Sequence, residues 1–207
     1  MFYNILDKKR IDLLPLFINL KKDFYLAGGT ALALQIGHRD SVDFDFFKEG
    51  DIDTKKLFDD LKEIVKDHKI LKIQEEYNTL SIIIDDNIKL SFFGYKYGLI
   101  DDIVNEENLK LASIKDIGCM KLSAITGRAS NKDYIDIYYI LQKIKLIDLL
   151  EKTSEKFSDL DRNLILKSLV YFDDIKVEPI MFKNNNFVDL KDIKEFFEEE
   201  VKKIKLN

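Results

Sequence analysis

The chain has no tryptophan, one cysteine, two prolines and eight glycines in 207 residues. Each scarcity excludes something. A lone Cys119 rules out an internal disulfide framework, and its apolar neighbours favour a buried core thiol over a nucleophile. With so little proline, and with no low-complexity tract or internal repeat, the chain is neither a linker-rich array nor a solenoid. No apolar run approaches the ~20 residues that a membrane-spanning helix needs. The first ten residues place their charges after their apolar residues, the reverse of a signal peptide, so the expected location is cytoplasmic. An excess of basic residues is lacking too. The net charge of −5 excludes a surface that coats nucleic acid broadly, but leaves room for a local basic site at one end of an RNA. What the chain does have is 46% hydrophobic residues, enough for a packed core.

The periodicity predicts an α+β protein. An N-terminal mixed β-sheet core with flanking helices spans residues 1–100, and a C-terminal helical bundle spans 101–207. Apolar residues Leu13, Leu14, Phe17 and Leu20 mark a helix over Asp7–Leu20. A strand follows at Asp23–Leu26. Thr54 is the expected N-cap of a helix to Asp67. Three antiparallel strands are expected at Ile70–Tyr77, Thr79–Ile84 and Ile88–Phe93, with Asp85-Asp86-Asn87 as a hairpin turn. Gly94–Asn108 reads as loop. Beyond it, Ser113 and Asn131 are expected to cap helices running to Gly127 and Ile144. Helices near Ile147–Phe157 and Arg162–Phe172 follow, and Asp189 caps a last one ending near Lys205.

Chemistry concentrates between Phe24 and Phe47. Gly28-Gly29 can adopt backbone angles closed to other residues and lets a ligand approach the main chain. Thr30 then opens a helix, Ala31–Ile36, whose first N–H groups and dipole suit an anion, and its hydroxyl could add a hydrogen bond to a phosphate oxygen. In Asp43-Phe44-Asp45-Phe46-Phe47, strand alternation would point both aspartates one way and Phe44 and Phe46 the other. At ~4 Å two such carboxylates repel by roughly 1–4 kcal/mol, so a compensating cation is expected. Mg²⁺, which takes carboxylate and phosphate oxygens together, is the natural one. Alone, a Gly-Gly is usually a turn and an Asp-x-Asp a solvated edge; the combination at this spacing favours function.

A second polar cluster lies in the helical half. Lys121 and Arg128, seven residues apart, share a helix face, as do Asp133 and Asp136 on the next helix. Lys121 sits within an apolar stretch, so its ammonium either snorkels to water or meets an anion. Lys132 and Asp136 could simply pair along their own helix.

Gly28-Gly29-Thr30 followed by Ser41-x-Asp43-x-Asp45-x-Phe47 resembles the first motif of the DNA-polymerase-beta-like nucleotidyltransferases. With Ala31-Leu32-Ala33-Leu34 and Gly37-His38-Arg39 between, it resembles specifically the AbiEii/AbiGii toxin family of bacterial abortive-infection and toxin–antitoxin pairs. Lys121, Arg128, Lys132-Asp133 and Asp136 resemble the family's later motif, and Tyr171-Phe172-Asp173-Asp174, Glu178-Pro179 and Phe196-Phe197 its C-terminal pattern, so the resemblance covers nearly the whole chain.

The resemblance implies transfer of a nucleoside monophosphate from an NTP to an acceptor hydroxyl, with an RNA 3′ end, tRNA included, as the suggested acceptor. Asp43 and Asp45 would hold Mg²⁺. Gly28, Gly29, Thr30, Ser41, Lys121, Arg128 and Lys132 would bind the nucleotide, and Asp133 would serve as base or extra ligand. A cognate antitoxin, or its promoter-binding partner, is implied as a protein partner. Where the superfamily carries a third metal carboxylate this chain has Ser91. A two-metal site is therefore short of a ligand, while a single ion held by Asp43, Asp45 and the triphosphate remains open. Two other readings stay beside this one, a nucleotide-binding module without turnover and a partner-binding scaffold.

Overall fold

The computed structural model describes residues 1–85 and 87–205. The chain forms two compact units, Met1–Ser113 and Ile114–Asn207.

The first unit is built on a seven-stranded mixed sheet. Its strands are β1 (Tyr25–Ala27), β2 (Phe44–Glu49), β3 (Ile70–Glu76), β4 (Thr79–Ile84), β5 (Ile88–Tyr95), β6 (Val104–Asn105) and β7 (Lys110–Leu111). Their order across the sheet is β3-β4-β5-β2-β1-β7-β6. β2 runs antiparallel to β1 and parallel to β5, which sets Asp45 between Ala27 and Ser91. The expected three-strand meander is present as β3–β4–β5. Of the hairpin turn, Asp85 and Asn87 are turn residues and Asp86 lies outside the described residues.

Phe44, Phe46 and Phe92 are buried on one face of this sheet. Phe17 packs edge-on against Phe44 and Phe46, with ring centroids 5.0 and 5.3 Å apart. Phe17 does not come from one long helix. The expected Asp7–Leu20 helix divides into α1 (Lys8–Leu13) and a 3-10 segment, Leu14–Asn19. Pro15 sits at the start of the second piece, where it lacks the N–H that a continuing α-helix would bond. α3 (Thr54–Ile64) is capped by Asp53, whose carboxylate accepts from Lys56 N at 3.0 Å. Thr54, the expected cap, instead donates its hydroxyl to Glu75 at 3.1 Å. The segment read as loop carries β6 and β7, and β7 pairs in parallel with β1. That pairing makes residues up to Ser113 part of the sheet unit, past the boundary expected near residue 100.

The second unit holds α4 (Ile114–Ala124), α5 (Asn131–Leu141), α6 (Leu146–Lys156), α7 (Arg162–Val170) and α8 (Leu190–Lys205). Ile117, Leu122, Ile137, Leu149, Ile165, Leu169, Ile193 and Phe197 form its core. Cys119 is buried there, and that burial pushes its thiol pKa up to about 11. Asp189 caps α8 through Lys191 N at 2.9 Å. Asn131 is not the cap of α5. It lies inside the helix, and its amide both donates to Glu178 O at 2.8 Å and accepts from Glu178 N at 3.1 Å. A side chain so committed fastens the 171–189 segment to the helix.

Candidate active site

In the sheet unit, β1 ends where α2 (Gly28–Ile36) begins, without an intervening loop. Gly28 makes this junction possible. Its φ is +69°, and a Cβ there would stand 2.9 Å from Asp45 Oδ2. The Asp45 carboxylate thus lies directly against the glycine turn, in the space that any other residue would fill. At Gly29 the close neighbours are side-chain ends, since a Cβ there would stand 2.5 Å from Arg39 Nη2 and 3.4 Å from Ser41 Oγ. Ala27, the N-cap of α2, offers no side-chain acceptor to the first helical N–H groups. Those donors and the helix dipole favour an anion at this end.

Asp43 and Asp45 are held in different ways. Asp45 is a half-buried residue of β2, flanked on its strand by buried Phe44 and Phe46, as alternation requires. Asp43 is not on the strand. It is exposed and lies just before β2, so the pleat does not orient it. Side chains fix its backbone instead. Arg10 Nε donates to Val42 O at 2.6 Å, and Thr30 Oγ1 donates to Asp43 O. Arg10 also donates to Asn87 O at 3.0 Å and pairs with Asp7. The Arg10 backbone N–H, and its charge, hold the Asp7 carboxyl below the usual carboxylate range.

The Thr30 hydroxyl, expected on a phosphate, is therefore engaged. It is buried, its proton goes to Asp43 O, and it accepts from Ser41 Oγ at 2.7 Å. Thr30 and Ser41 hold the loop that carries Asp43. Ser91 is buried beside Asp45 in the parallel ladder, with Ser81 as hydrogen-bonding neighbour at 3.3 Å.

Mg²⁺ fits this donor set on one condition. Among the described residues no group of three or more His, Cys, Asp or Glu is arranged to hold a metal. Two acids cannot cage an ion, but Mg²⁺ is commonly bound through one or two carboxylates with phosphate oxygens and water completing its shell. The absence of a side chain at Gly28 lets the Asp45 carboxylate approach the start of α2, where an ion arriving with a phosphate would meet both.

In the helical unit the second cluster closes on itself. Lys121 Nζ lies 2.6 Å from Asp133 Oδ1 and 2.7 Å from Asp136 Oδ2, and all three side chains are buried. Asp133 also accepts from Arg128 Nε at 2.9 Å. Asp133 is thus buried between the Lys121 ammonium and the Arg128 guanidinium. Arg128 is different, with its side chain 66% exposed. Lys132 pairs with Glu178 at 2.6 Å rather than with Asp136. Sequence reasoning gave no role to buried Arg10 and Arg39, or to Lys156 and Asp116, which meet at 2.8 Å. The signal for Lys156 was faint, a lysine one helical turn after the buried Thr153.

The chain matches the family described as "Nucleotidyl transferase AbiEii toxin, Type IV TA system" over residues 16–204. It is 36% identical over 196 residues to an uncharacterized protein, aq_aa25, of Aquifex aeolicus, covering 89% of each. Among solved structures, MenT4, a nucleotidyltransferase toxin of Mycobacterium tuberculosis, is similar with a TM-score of 0.63 at 13% identity, covering 93% of this chain and 80% of that one. A candidate nucleotidyltransferase from H. pylori is similar with a TM-score of 0.61 at 18% identity, covering 98% and 94%. Those two likenesses show the nucleotidyltransferase fold. With the Gly28-Gly29 turn set against Asp45 and the match running through both units, the chain belongs to the AbiEii nucleotidyl transferase toxin family of toxin–antitoxin systems.

Proposed function

We propose that this protein transfers a nucleoside monophosphate from an NTP to an acceptor hydroxyl, with an RNA 3′ end as acceptor. The observation that carries this reading is the Asp45 carboxylate lying against Gly28 at the uncapped N-terminus of α2. Negative phosphate and positive ion are both accommodated within one turn of chain. Gly28 and Gly29 bring backbone N–H groups to the triphosphate tail. Asp43 and Asp45 hold Mg²⁺, which when bound offsets the charge that develops on the phosphate oxygens. Thr30, Ser41 and Arg10 hold the Asp43 backbone in place.

In the transfer, the acceptor oxygen forms a bond to the α-phosphorus. The bond from that phosphorus to the bridging oxygen breaks, pyrophosphate leaves, and the hydroxyl proton passes to water. The protein contributes positioning and charge stabilisation. In the helical unit, exposed Arg128 is the phosphate-binding residue of the second motif. Lys121, Asp133 and Asp136 form the buried ion cluster that orients it, and Lys132 stands at the edge. A cognate antitoxin and a cytoplasmic setting accompany this reading.

Ser91 supports a second reading. The residue beside Asp45 in the ladder is a hydroxyl, not an acid, and a site with two carboxylates could bind NTP·Mg²⁺ without turning it over. One experiment separates the two. The protein and Asp45→Ala are each incubated with every α-labelled NTP, Mg²⁺ and total cellular RNA. Label in RNA with the parent and none with the variant is the expected result. Equal labelling by both removes Asp45 from the chemistry, and nucleotide binding without any label favours the second reading.

A further inference from the structure

The sheet face that carries Asp45 continues as an aromatic surface. On β2 the residue two beyond Asp45 is Phe47, and on β5 the residues beyond Ser91 are Phe93 and Tyr95. The register places Phe47 between Tyr25 and Phe93. Phe47 stacks with Tyr25 at 6.0 Å, meets Phe93 at 5.0 Å and takes Tyr95 edge-on at 5.3 Å. These rings are separate from the sealed set on the other face, Phe44, Phe46 and Phe92, which are 0–2% exposed. Phe47, Phe93 and Tyr95 are half-buried. They are grouped on the face that carries the acid.

We propose that Phe47, Phe93 and Tyr95 stack the unpaired terminal base of the acceptor strand. This rests on the nucleotidyl-transfer reading above, and its geometry is directional. β1 and β2 are antiparallel, so α2 leaves the sheet at the end of β2 where Asp45 lies, and the aromatic rings lie along β2 in the opposite direction. The triphosphate tail is assigned to the α2 end. In phosphoryl transfer the attacking and leaving oxygens stand roughly in line across the phosphorus. With pyrophosphate leaving toward α2, the acceptor approaches from the aromatic side. Asp45 and Phe47 are two residue steps apart on the strand, about 7 Å, a distance of the order of one nucleoside. Every base has a π-face, so such a surface fixes a strand end without reading its sequence. Single-stranded ends, whose bases are free to stack on protein rings, are the RNA form that suits it.

The test uses a short single-stranded RNA with 2-aminopurine as its 3′-terminal base, titrated with the full chain. The expected result is fluorescence quenching by the parent. Tyr95→Ala and Phe47→Leu should each lose the quenching and bind this RNA roughly tenfold more weakly or worse, with unchanged NTP affinity. Melting curves confirm that each variant is folded, and Tyr95→Ala carries the test if Phe47→Leu is not. Parent binding without quenching overturns the proposal, as do folded variants that bind the RNA as the parent does. Loss of NTP binding with RNA binding intact also overturns it, because the rings would then hold the incoming base. A parent that quenches this RNA but labels none keeps the stacking surface and defeats only the transfer reading.

Discussion

The molecule carries two pairs of aspartates, and they are built in opposite ways. Asp133 and Asp136 are buried in the helical unit with Lys121 between them and Arg128 alongside. Asp43 lies exposed just before β2, the middle strand of the sheet, and Asp45 is half-buried within it, against Gly28 at a helix N-terminus. In the first pair the counter-charge belongs to the protein, and it is fixed. In the second, Asp45 lies against the Gly28 turn, at a helix start that carries no side-chain cap. The difference teaches how to tell a structural acid from a chemical one. Residue type is the same in both. What differs is the setting, a buried ion cluster in one and a glycine turn at a helix start in the other.

Lys121→Ala gives the strongest test of this contrast. It leaves two buried carboxylates without the ammonium that bridges them, and breaking a buried pair from one side costs about 3–5 kcal/mol. Urea unfolding of both proteins at pH 7 measures it. A variant as stable as the parent at pH 7 would show that the cluster carries no structural charge balance.

The two pairs also differ in how far the sequence revealed them. The Gly28–Asp45 motif was legible because its parts are close in the chain and each acts through local backbone chemistry, a turn, a helix start and strand alternation. Phe44 and Phe46 fell where alternation put them. Asp43 did not, because its orientation comes from partners distant in sequence: Arg10 reaches Val42 across 32 residues and Asn87 across 77. Nothing in the sequence shows that the Thr30 hydroxyl donates to Asp43 O. β6 and β7 were unreadable for another reason, since two residues each are too few to display a period. The charges of the helical cluster were visible, but their pairing was not. Lys132 faces Glu178, far along the chain, instead of its helical neighbour Asp136.

Lys132 provides a smaller test on the same helix. Its pair with Glu178 is largely solvent-exposed, with side chains 38% and 50% accessible. An exposed pair contributes about 0.2–1 kcal/mol, so Lys132→Ala should cost no more than that, well below Lys121→Ala. The hydrogen bond and charge of Lys132 hold the Glu178 carboxyl below the usual range. A lowered acid stabilises above its unfolded pKa and loses that contribution as the pH falls through the folded value. The difference between parent and variant should therefore be present at pH 7 and fade below about pH 4. Thermal melts across that range read it directly. A difference that grew in acid would mean Lys132 acts through something other than Glu178.

Asp43→Asn should move stability least, and its sign is what matters. Asp43 is exposed and its backbone is held by Arg10 and Thr30, contacts that the substitution leaves alone. Amide for carboxylate removes one negative charge and keeps the side chain's shape. In buffer with a chelator the variant should melt at the parent's temperature or slightly above it. Adding Mg²⁺ with an NTP should raise the parent's melting temperature and leave the variant's nearly unchanged, because a ligand stabilises only the state that binds it. A variant that melts lower than the parent without metal would place Asp43 among the structural acids and erase the distinction between the two pairs. Equal stabilisation of both proteins by NTP and Mg²⁺ would leave Asp45 and the glycine turn as the site, with Asp43 outside it.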